Sequence, residues 1–276
     1  MKNMVITSFL LSAAICIGTA AFAAPPLRHG VGRGRSPVTA QEAAEVKKAN
    51  EKSKRRIAPY LTDEGSSGRL TWKEYTVTPK AKGEATLLVV FGGRDSVKDG
   101  RGEAKIPVAI EKAISHARLL PRSGRLIVLV PDMMVGESRR GRGGRETPVS
   151  EGMPKLVRSR MEKHGVKAER TFATGFSMGG GLVYSLLNDD PTLFARALVV
   201  GASGNPNATK DIRGEILDYH GADDDYIPAV RVKAFAEAVN AKTPGRMRLE
   251  TLDKTGHAES ETAAYSKNDA WKWLFR

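Results

Sequence analysis

The segment Gly175-Phe176-Ser177-Met178-Gly179-Gly180 constrains the fold of this chain more than any other part of its sequence. The residues before it, 170–174, favour a short buried strand, whereas the residues after it, 181–187, favour a helix. A G-x-S-x-G segment between a strand and a helix is the pattern of a nucleophile elbow, which holds a serine hydroxyl above the edge of a sheet. The glycines allow the sharp turn and a close helix. The alternative is that Ser177 merely caps the helix.

A nucleophilic serine needs a base within hydrogen-bond reach, and the base needs a third group that orients it. In proteins with this elbow the partners follow in the order Ser, then Asp or Glu, then His. Three aspartates at 223–225 follow a predicted strand over 216–220, and His257 follows a predicted strand over 247–252. Strand ends are where an open α/β sheet gathers its site. Taken alone, the aspartates would be a solvated turn and His257 a loop residue.

These three motifs, in this order, resemble the α/β-hydrolase superfamily of serine esterases. The resemblance is to its small secreted branch of dienelactone-hydrolase-like, feruloyl-esterase-like and polyhydroxybutyrate-depolymerase-like enzymes, and it extends from about Tyr75 to the C-terminus. The family pattern H-G-x-x-D-x-x-[VI]-P aligns with 220–228 and places the family's acid at Asp224. The family's Gly-His pair aligns with Gly256-His257. The resemblance implies a catalytic triad of Ser177, Asp224 and His257.

The resemblance also implies an oxyanion hole made of backbone N–H groups, here those of Met178 and Gly93. The family usually has His-Gly after the strand that corresponds to 86–91, whereas this chain has Phe91-Gly92-Gly93-Arg94. Because main-chain donors form such a hole, the missing histidine does not remove it. Gly92 and Arg94 remain alternatives to Gly93 as the donor in this loop.

The remaining candidate residues are predicted to be structural. Asp132 follows a strand and is interpreted as a loop cap, with a substrate contact as the alternative. His220 is interpreted as a turn residue. No motif surrounds the other three histidines, which are predicted to lie at the surface: His29, His116 and His164.

The predicted elements alternate between strands and helices, which implies an α/β fold with a mostly parallel central sheet and helices on both faces. No insertion is long enough to predict a large lid domain. The predicted strands are 70–79, 84–91, 126–130, 170–174, 196–200, 216–220 and 247–252. The predicted helices are 106–119, 153–164, 181–187 and 229–241, with a final helix through Trp271 and Trp273.

The N-terminus predicts export. Lys2, an apolar stretch and Ala21-Phe22-Ala23 form the pattern of a signal peptide over 1–23, cleaved after Ala23. A membrane anchor is the alternative, but the apolar stretch is short and rich in small residues. Residues 24–56 are predicted to be a basic, flexible segment that can form a charged helix, and 57–276 the catalytic domain. The one cysteine, Cys16, lies in the signal, so the mature chain is expected to have no disulfide.

The formal net charge is +13, which favours anionic surroundings such as an acidic polysaccharide or an anionic surface. The densest basic run contains Arg139, Arg140, Arg142 and Arg145. It is predicted either to capture such a partner or to be a solvated loop. Binding to nucleic acid is disfavoured, because the run is single, short and without interleaved aromatic residues.

Together these features predict a secreted serine hydrolase that cleaves carboxylic esters with no cofactor or metal. Its expected substrate is an ester, acyl- or carbohydrate-linked, and the processed chain is not expected to span a membrane. The alternatives are a serine peptidase of the prolyl-oligopeptidase-like type and a non-catalytic binding protein on a hydrolase scaffold.

Overall fold

The computed structural model describes residues 39–68, 70–77, 83–97, 103–121, 124–133, 135–136, 147–148 and 151–276. The predicted signal peptide over 1–23 and the arginine-rich run at 139–145 lie outside the described residues. Within the described ranges, no helix is both long enough and apolar enough to cross a membrane.

Eight strands of the described chain form one sheet in the order β1-β2-β4-β3-β7-β8-β9-β10. The first two pairings, β1 with β2 and β2 with β4, are antiparallel, and all the others are parallel. This confirms the predicted mostly parallel sheet. The strands are β1 Leu61–Ser67, β2 Leu70–Val77, β3 Ala85–Phe91, β4 Arg125–Pro131, β7 Thr171–Phe176, β8 Arg196–Val200, β9 Glu215–Gly221 and β10 Met247–Leu252, while β5 Val135–Gly136 and β6 Thr147–Pro148 form a separate antiparallel pair.

Helices cover both faces of the sheet, as predicted. Side chains alternate along a strand, so Leu87 and Val89 of β3 face one core, and Leu88 and Val90 face the other. The first core contains side chains of α3, α4 and α5, and the second contains side chains of α2, α6 and α7. The helices are α1 Ala40–Ile57, α2 Val108–His116, α3 Met153–His164, α4 Met178–Asp189, α5 Ala229–Lys242, α6 His257–Tyr265 and α7 Asn268–Phe275.

Of the predicted flexible segment 24–56, residues 24–38 lie outside the described residues, and the rest contains the charged helix that the sequence allowed, α1. This helix is a packed part of the fold and not a flexible arm. It belongs to the same compact unit as the sheet. Buried Asn50 donates from Nδ2 to the carbonyl of Ala104 at 3.0 Å, and its Oδ1 accepts the N–H of Ile106 at 2.9 Å. Arg56 pairs with Glu111 of α2 at 2.9 Å. Ile57 is the one apolar side chain of α1 that is buried. Polar contacts to residues 103–111 therefore hold the helix in place.

Two histidines predicted to lie at the surface are not solvated residues. His116 is buried, because its ring stacks on Trp271 at a centroid distance of 5.4 Å and its Nε2 lies 2.8 Å from Asn268 Oδ1. His164 is half-buried, and its Nε2 lies 3.1 Å from Oε2 of the buried Glu74. Helix packing against α7 and β2 accounts for both corrections, and His29 lies outside the described residues.

Candidate active site

Ser177 occupies the turn between β7 and α4. Its φ of 52° and ψ of −115° are unusual for a residue other than glycine, which marks the turn as strained. The turn is held by the N–H of Ser177, which donates to the carbonyl of Val200 at 2.9 Å. Neighbouring backbones approach so closely that a Cβ on Gly179 would lie 2.4 Å from the carbonyl oxygen of Gly92, and one on Gly175 would lie 2.5 Å from Gly179. These glycines therefore allow α4 to start directly above the sheet.

The structure brings together the three side chains singled out in the sequence. His257 Nε2 lies 2.8 Å from Ser177 Oγ, and His257 Nδ1 lies 2.7 Å from Asp224 Oδ2. An ionised carboxylate can only accept hydrogen bonds, so Nδ1 carries a proton and donates it to Asp224. In the neutral imidazole Nε2 is then free to accept from the Ser177 hydroxyl. This arrangement leaves the serine proton facing a base.

Asp224 differs from its neighbours in burial and in hydrogen bonding. It is 6% exposed, whereas Asp223 and Asp225 are exposed residues of the same turn. Its Oδ1 accepts the N–H groups of Tyr226 at 3.0 Å and Ile227 at 2.8 Å. These two bonds fix the carboxylate and leave Oδ2 directed at His257. Of the three consecutive aspartates, only Asp224 contacts the imidazole within the described residues.

The imidazole of His257 contacts two aromatic rings. The Phe176 ring centroid is 5.1 Å from the imidazole centroid, and the Tyr226 centroid is 5.3 Å from it, each ring tilted by 35°. Tyr226 is 74% exposed, so it shields the imidazole while remaining open to solvent. The sequence analysis did not predict either contact, because Phe176 and Tyr226 occupy variable positions of their motifs.

Helix α6 begins at His257 and contacts strand β7, which leads into the elbow. Ser260 Oγ donates to the carbonyl of His257 at 2.7 Å, which closes the first turn. At the other end of the helix, the Tyr265 hydroxyl lies 2.9 Å from Oγ1 of Thr174, three residues before Ser177 in β7. Both residues are fully buried, and burial raises the pKa of Tyr265. The base and the serine are therefore held by neighbouring, directly bonded elements.

The loop after β3 lies beside the elbow, as the predicted oxyanion hole requires. A Cβ on Gly93 would lie 2.9 Å from the ring of Phe176, the residue before Ser177. Met178 is the first residue of α4, so its N–H is one of the four at a helix start that lack an intrahelical acceptor. Both predicted donors thus lie close to Ser177 in the chain or in space.

His220 and Asp132 occupy different places. His220 Nε2 donates to the carbonyl of Ile227 at 2.7 Å and lies 3.4 Å from Asp224 Oδ2, which makes it part of the support of the turn. Asp132 follows β4, and its Oδ2 accepts a hydrogen bond from the hydroxyl of Thr71. No three His, Cys, Asp or Glu side chains of the described chain are grouped so that they could hold a metal ion.

A mostly apolar groove of about 480 Å³ borders the loop after β3 and the end of β4. Gly92, Lys105 and Asp132 are among the residues that line it, and the carbonyl of Gly92 lies close to Gly179 of the elbow. Its apolar wall includes Ile57, Ile106, Pro107, Ile110, Val130 and Met133. The groove thus gives this edge of the sheet room for an apolar group.

Solved structures share this architecture. A thermostable esterase is 19% identical with a TM-score of 0.62, and the alignment covers 79% of this chain but only 63% of the esterase. Est1E from Butyrivibrio proteoclasticus, solved with ferulic acid bound, is 13% identical with a TM-score of 0.54, covering 77% and 97% of the two chains. Esterase 2 from Thermogutta terrifontis, phosphonylated by cyclosarin, is 16% identical with a TM-score of 0.52, covering 75% and 89%. The chain therefore has the α/β-hydrolase fold.

Residues 148–266, which are less than half of the chain, match the model of the phospholipase/carboxylesterase family. The matched stretch contains Ser177, Asp224 and His257, whereas Gly93 lies before it. A search of curated proteins gave no match. The family match supports the class predicted from the sequence, a carboxylic ester hydrolase.

Proposed function

We propose that this chain is a serine esterase in which Ser177 is the nucleophile, His257 the general base and Asp224 the residue that orients the base. The observation that carries the proposal is the continuous hydrogen-bonded line from Ser177 Oγ through both nitrogens of His257 to Asp224 Oδ2. The strained turn at Ser177 and the burial of Asp224 add support, since both features are typical of such sites.

In the proposed acylation, Ser177 Oγ attacks the ester carbonyl carbon while His257 Nε2 takes the hydroxyl proton. The imidazolium that forms lies next to the Asp224 carboxylate, which stabilises its charge without taking its proton. The N–H groups of Met178 and Gly93 are proposed to hold the oxyanion of the tetrahedral intermediate. His257 then returns the proton to the leaving alcohol, and an acyl-enzyme remains.

In the proposed deacylation, His257 removes a proton from a water molecule, which attacks the acyl carbonyl. The Ser177 oxygen leaves with the proton from His257, and the carboxylic acid is released. We propose that the groove beside Gly92 takes the acyl chain, because its wall is mostly apolar and it adjoins the loop of the proposed oxyanion hole. The proposed substrate is therefore an ester with an apolar acyl group.

Kinetics on p-nitrophenyl esters, combined with active-site labelling, test this function. We expect turnover of the series from acetate to octanoate, with kcat/KM rising with acyl length as more apolar surface is buried. A fluorophosphonate should label Ser177 covalently and stop turnover with one label per chain, as mass spectrometry of the labelled peptide can establish.

The two parts of this experiment contradict different claims. Labelling at another residue refutes Ser177 as the nucleophile. No labelling together with no ester turnover supports a binding protein on the same scaffold. Labelling at Ser177 with kcat/KM independent of acyl length leaves the esterase intact and removes the groove as the acyl site.

We further propose that the chain is exported, with residues 1–23 removed. The support is the sequence pattern of a charged start, an apolar stretch and an A-x-A site before Ala24. The intact mass of protein recovered from a bacterial periplasm or medium should match a chain that begins at Ala24. A retained N-terminus in that fraction would contradict cleavage at this site.

A further inference from the structure

Lys105 joins two parts of the site that lie far apart in sequence. Its Nζ lies 3.1 Å from Oε2 of Glu261 and 3.4 Å from Oδ2 of Asp95. Glu261 is on α6, about one turn after His257, and Asp95 is two residues after Gly93. One ammonium group therefore contacts both the helix that begins at His257 and the loop that contains Gly93.

The contact with Glu261 is in a buried environment. The side chain of Glu261 is 5% exposed, and burial raises its pKa, although Lys105 offsets part of that effect. Burial alone would lower the pKa of Lys105, but Glu261 and Asp95 outweigh it, and the pKa of Lys105 lies above its ordinary value. The side chain of Lys105 is 34% exposed, but that of Glu261 is buried, so removing Lys105 would leave a buried carboxylate without its counter-charge. That loss is expected to cost more than the loss of one partner of a surface ion pair.

The main chain around Lys105 is fixed on both sides. The side-chain amide of Asn50, on α1, bonds to the carbonyl of Ala104 at 3.0 Å and to the N–H of Ile106 at 2.9 Å. The N–H of Lys105 itself donates to the carbonyl of Asp95 at 2.8 Å. The ammonium group is thus carried by a segment that cannot shift without breaking several hydrogen bonds.

We propose that Lys105 is a positioning residue for the reaction, holding the loop of Gly93 at a fixed distance from the helix of His257. This inference rests on the proposed function. An oxyanion hole requires donors within about 2.7–3.1 Å of the developing charge, whereas substrate binding tolerates looser placement. We call the contacts of Lys105 with Asp95 and Glu261 the bridge. Loss of the bridge should reduce transition-state stabilisation more than it reduces binding of the ester. The expected result is a lower kcat with a nearly constant KM.

The test replaces Lys105 with methionine, which keeps much of the side-chain length and removes the charge. Because Lys105 also lines the groove proposed for the acyl chain, the test uses p-nitrophenyl acetate, whose acyl group is too short to fill that groove. We expect Lys105→Met to lower kcat on this ester by about 10- to 100-fold, the loss typical of a misplacement near 1 Å. KM should change by less than about threefold. Lys105→Arg should restore at least half of the wild-type kcat, because it keeps a charge that can reach both carboxylates. Near-UV circular dichroism and Tm check the fold of each variant.

Lys112→Met is the matched control. Lys112 lies on α2, and its Nζ donates to Oγ of Ser266 at 3.1 Å. Ser266 caps the end of α6 that is remote from His257. Its kcat should stay within about twofold of the wild type, as expected for an exposed contact. A general loosening of α6 would instead lower kcat in both variants.

Two results would overturn the proposal that Lys105 positions the loop of Gly93. One is a folded Lys105→Met variant with wild-type kcat, and the other is a Lys105→Arg variant as slow as Lys105→Met. Should Lys105→Met fail to fold, Asp95→Asn tests the same bridge from an exposed residue, and unchanged kcat in that variant also overturns it. Absence of ester turnover in the wild type refutes the proposed function, so the two failures are distinguishable.

Discussion

Ser177→Ala is expected to abolish nearly all ester turnover while the protein stays folded. The change removes the hydroxyl that lies 2.8 Å from His257 Nε2, and loss of a triad nucleophile lowers kcat by several orders of magnitude. Alanine differs from serine only by the hydroxyl, and both carry the same steric cost at a φ of 52°. Tm should therefore stay close to the wild-type value. Steady-state kinetics and a thermal melt measure the two quantities.

Ser185→Ala provides the control for this variant. Ser185 lies on the exposed side of the same helix, α4, and its hydroxyl donates to the carbonyl of Gly181 at 3.1 Å. Its replacement should leave kcat unchanged. Retention of as much as a tenth of the wild-type turnover by Ser177→Ala would show that another residue is the nucleophile.

Asp224→Asn is expected to lower kcat by about 10⁴-fold, the loss observed when the orienting carboxylate of a serine hydrolase becomes an amide. The amide can donate a proton where His257 Nδ1–H now finds an acceptor, so the imidazole turns to the wrong tautomer. Oδ1 can still accept the N–H groups of Tyr226 and Ile227, which should preserve the turn. The measurement is kcat on a p-nitrophenyl ester, with Tm as the check on folding.

Asp223→Asn and Asp225→Asn are matched controls, because the same chemical change is made at exposed residues of the same turn. Both should keep most of the wild-type kcat. Equal losses at all three positions would show that the turn matters only as structure. A larger loss at a neighbour would move the orienting role away from Asp224.

The turn at Ser177 could be predicted because the residues that specify it are close together in the sequence. A strand, a glycine-flanked serine and a helix specify the elbow within a few residues, and the acid and the histidine each follow a strand. Helix α6 was not predicted, because the segment from His257 to Tyr265 has no continuous apolar side. Strand β1 was not predicted either, since an exposed edge strand such as Leu61–Ser67 lacks alternating apolar residues.

The contacts of α1 and Lys105 could not be predicted for a different reason. Asn50 and Lys105 belong to no motif, and each finds its partners through the fold rather than through spacing. Hydrophobic periodicity identifies what packs in a core, but it does not detect an amide that bonds two main-chain groups. For this reason the sequence predicts a flexible segment that includes residues 40–56, although these residues form α1 and support the region next to the site.

The order of strands in the sheet has a consequence for fragments of this protein. Strand β3 lies between β4 and β7, so the first four strands of the chain complete one side of β7. A fragment reduced to the family-matched residues 148–266 would turn β7, whose residues Thr171–Phe176 are all buried, into a bare edge with unpaired N–H and C=O groups. Such an edge is a template for pairing with other chains. The matched stretch carries the proposed triad, yet on its own it would be prone to aggregate rather than to fold.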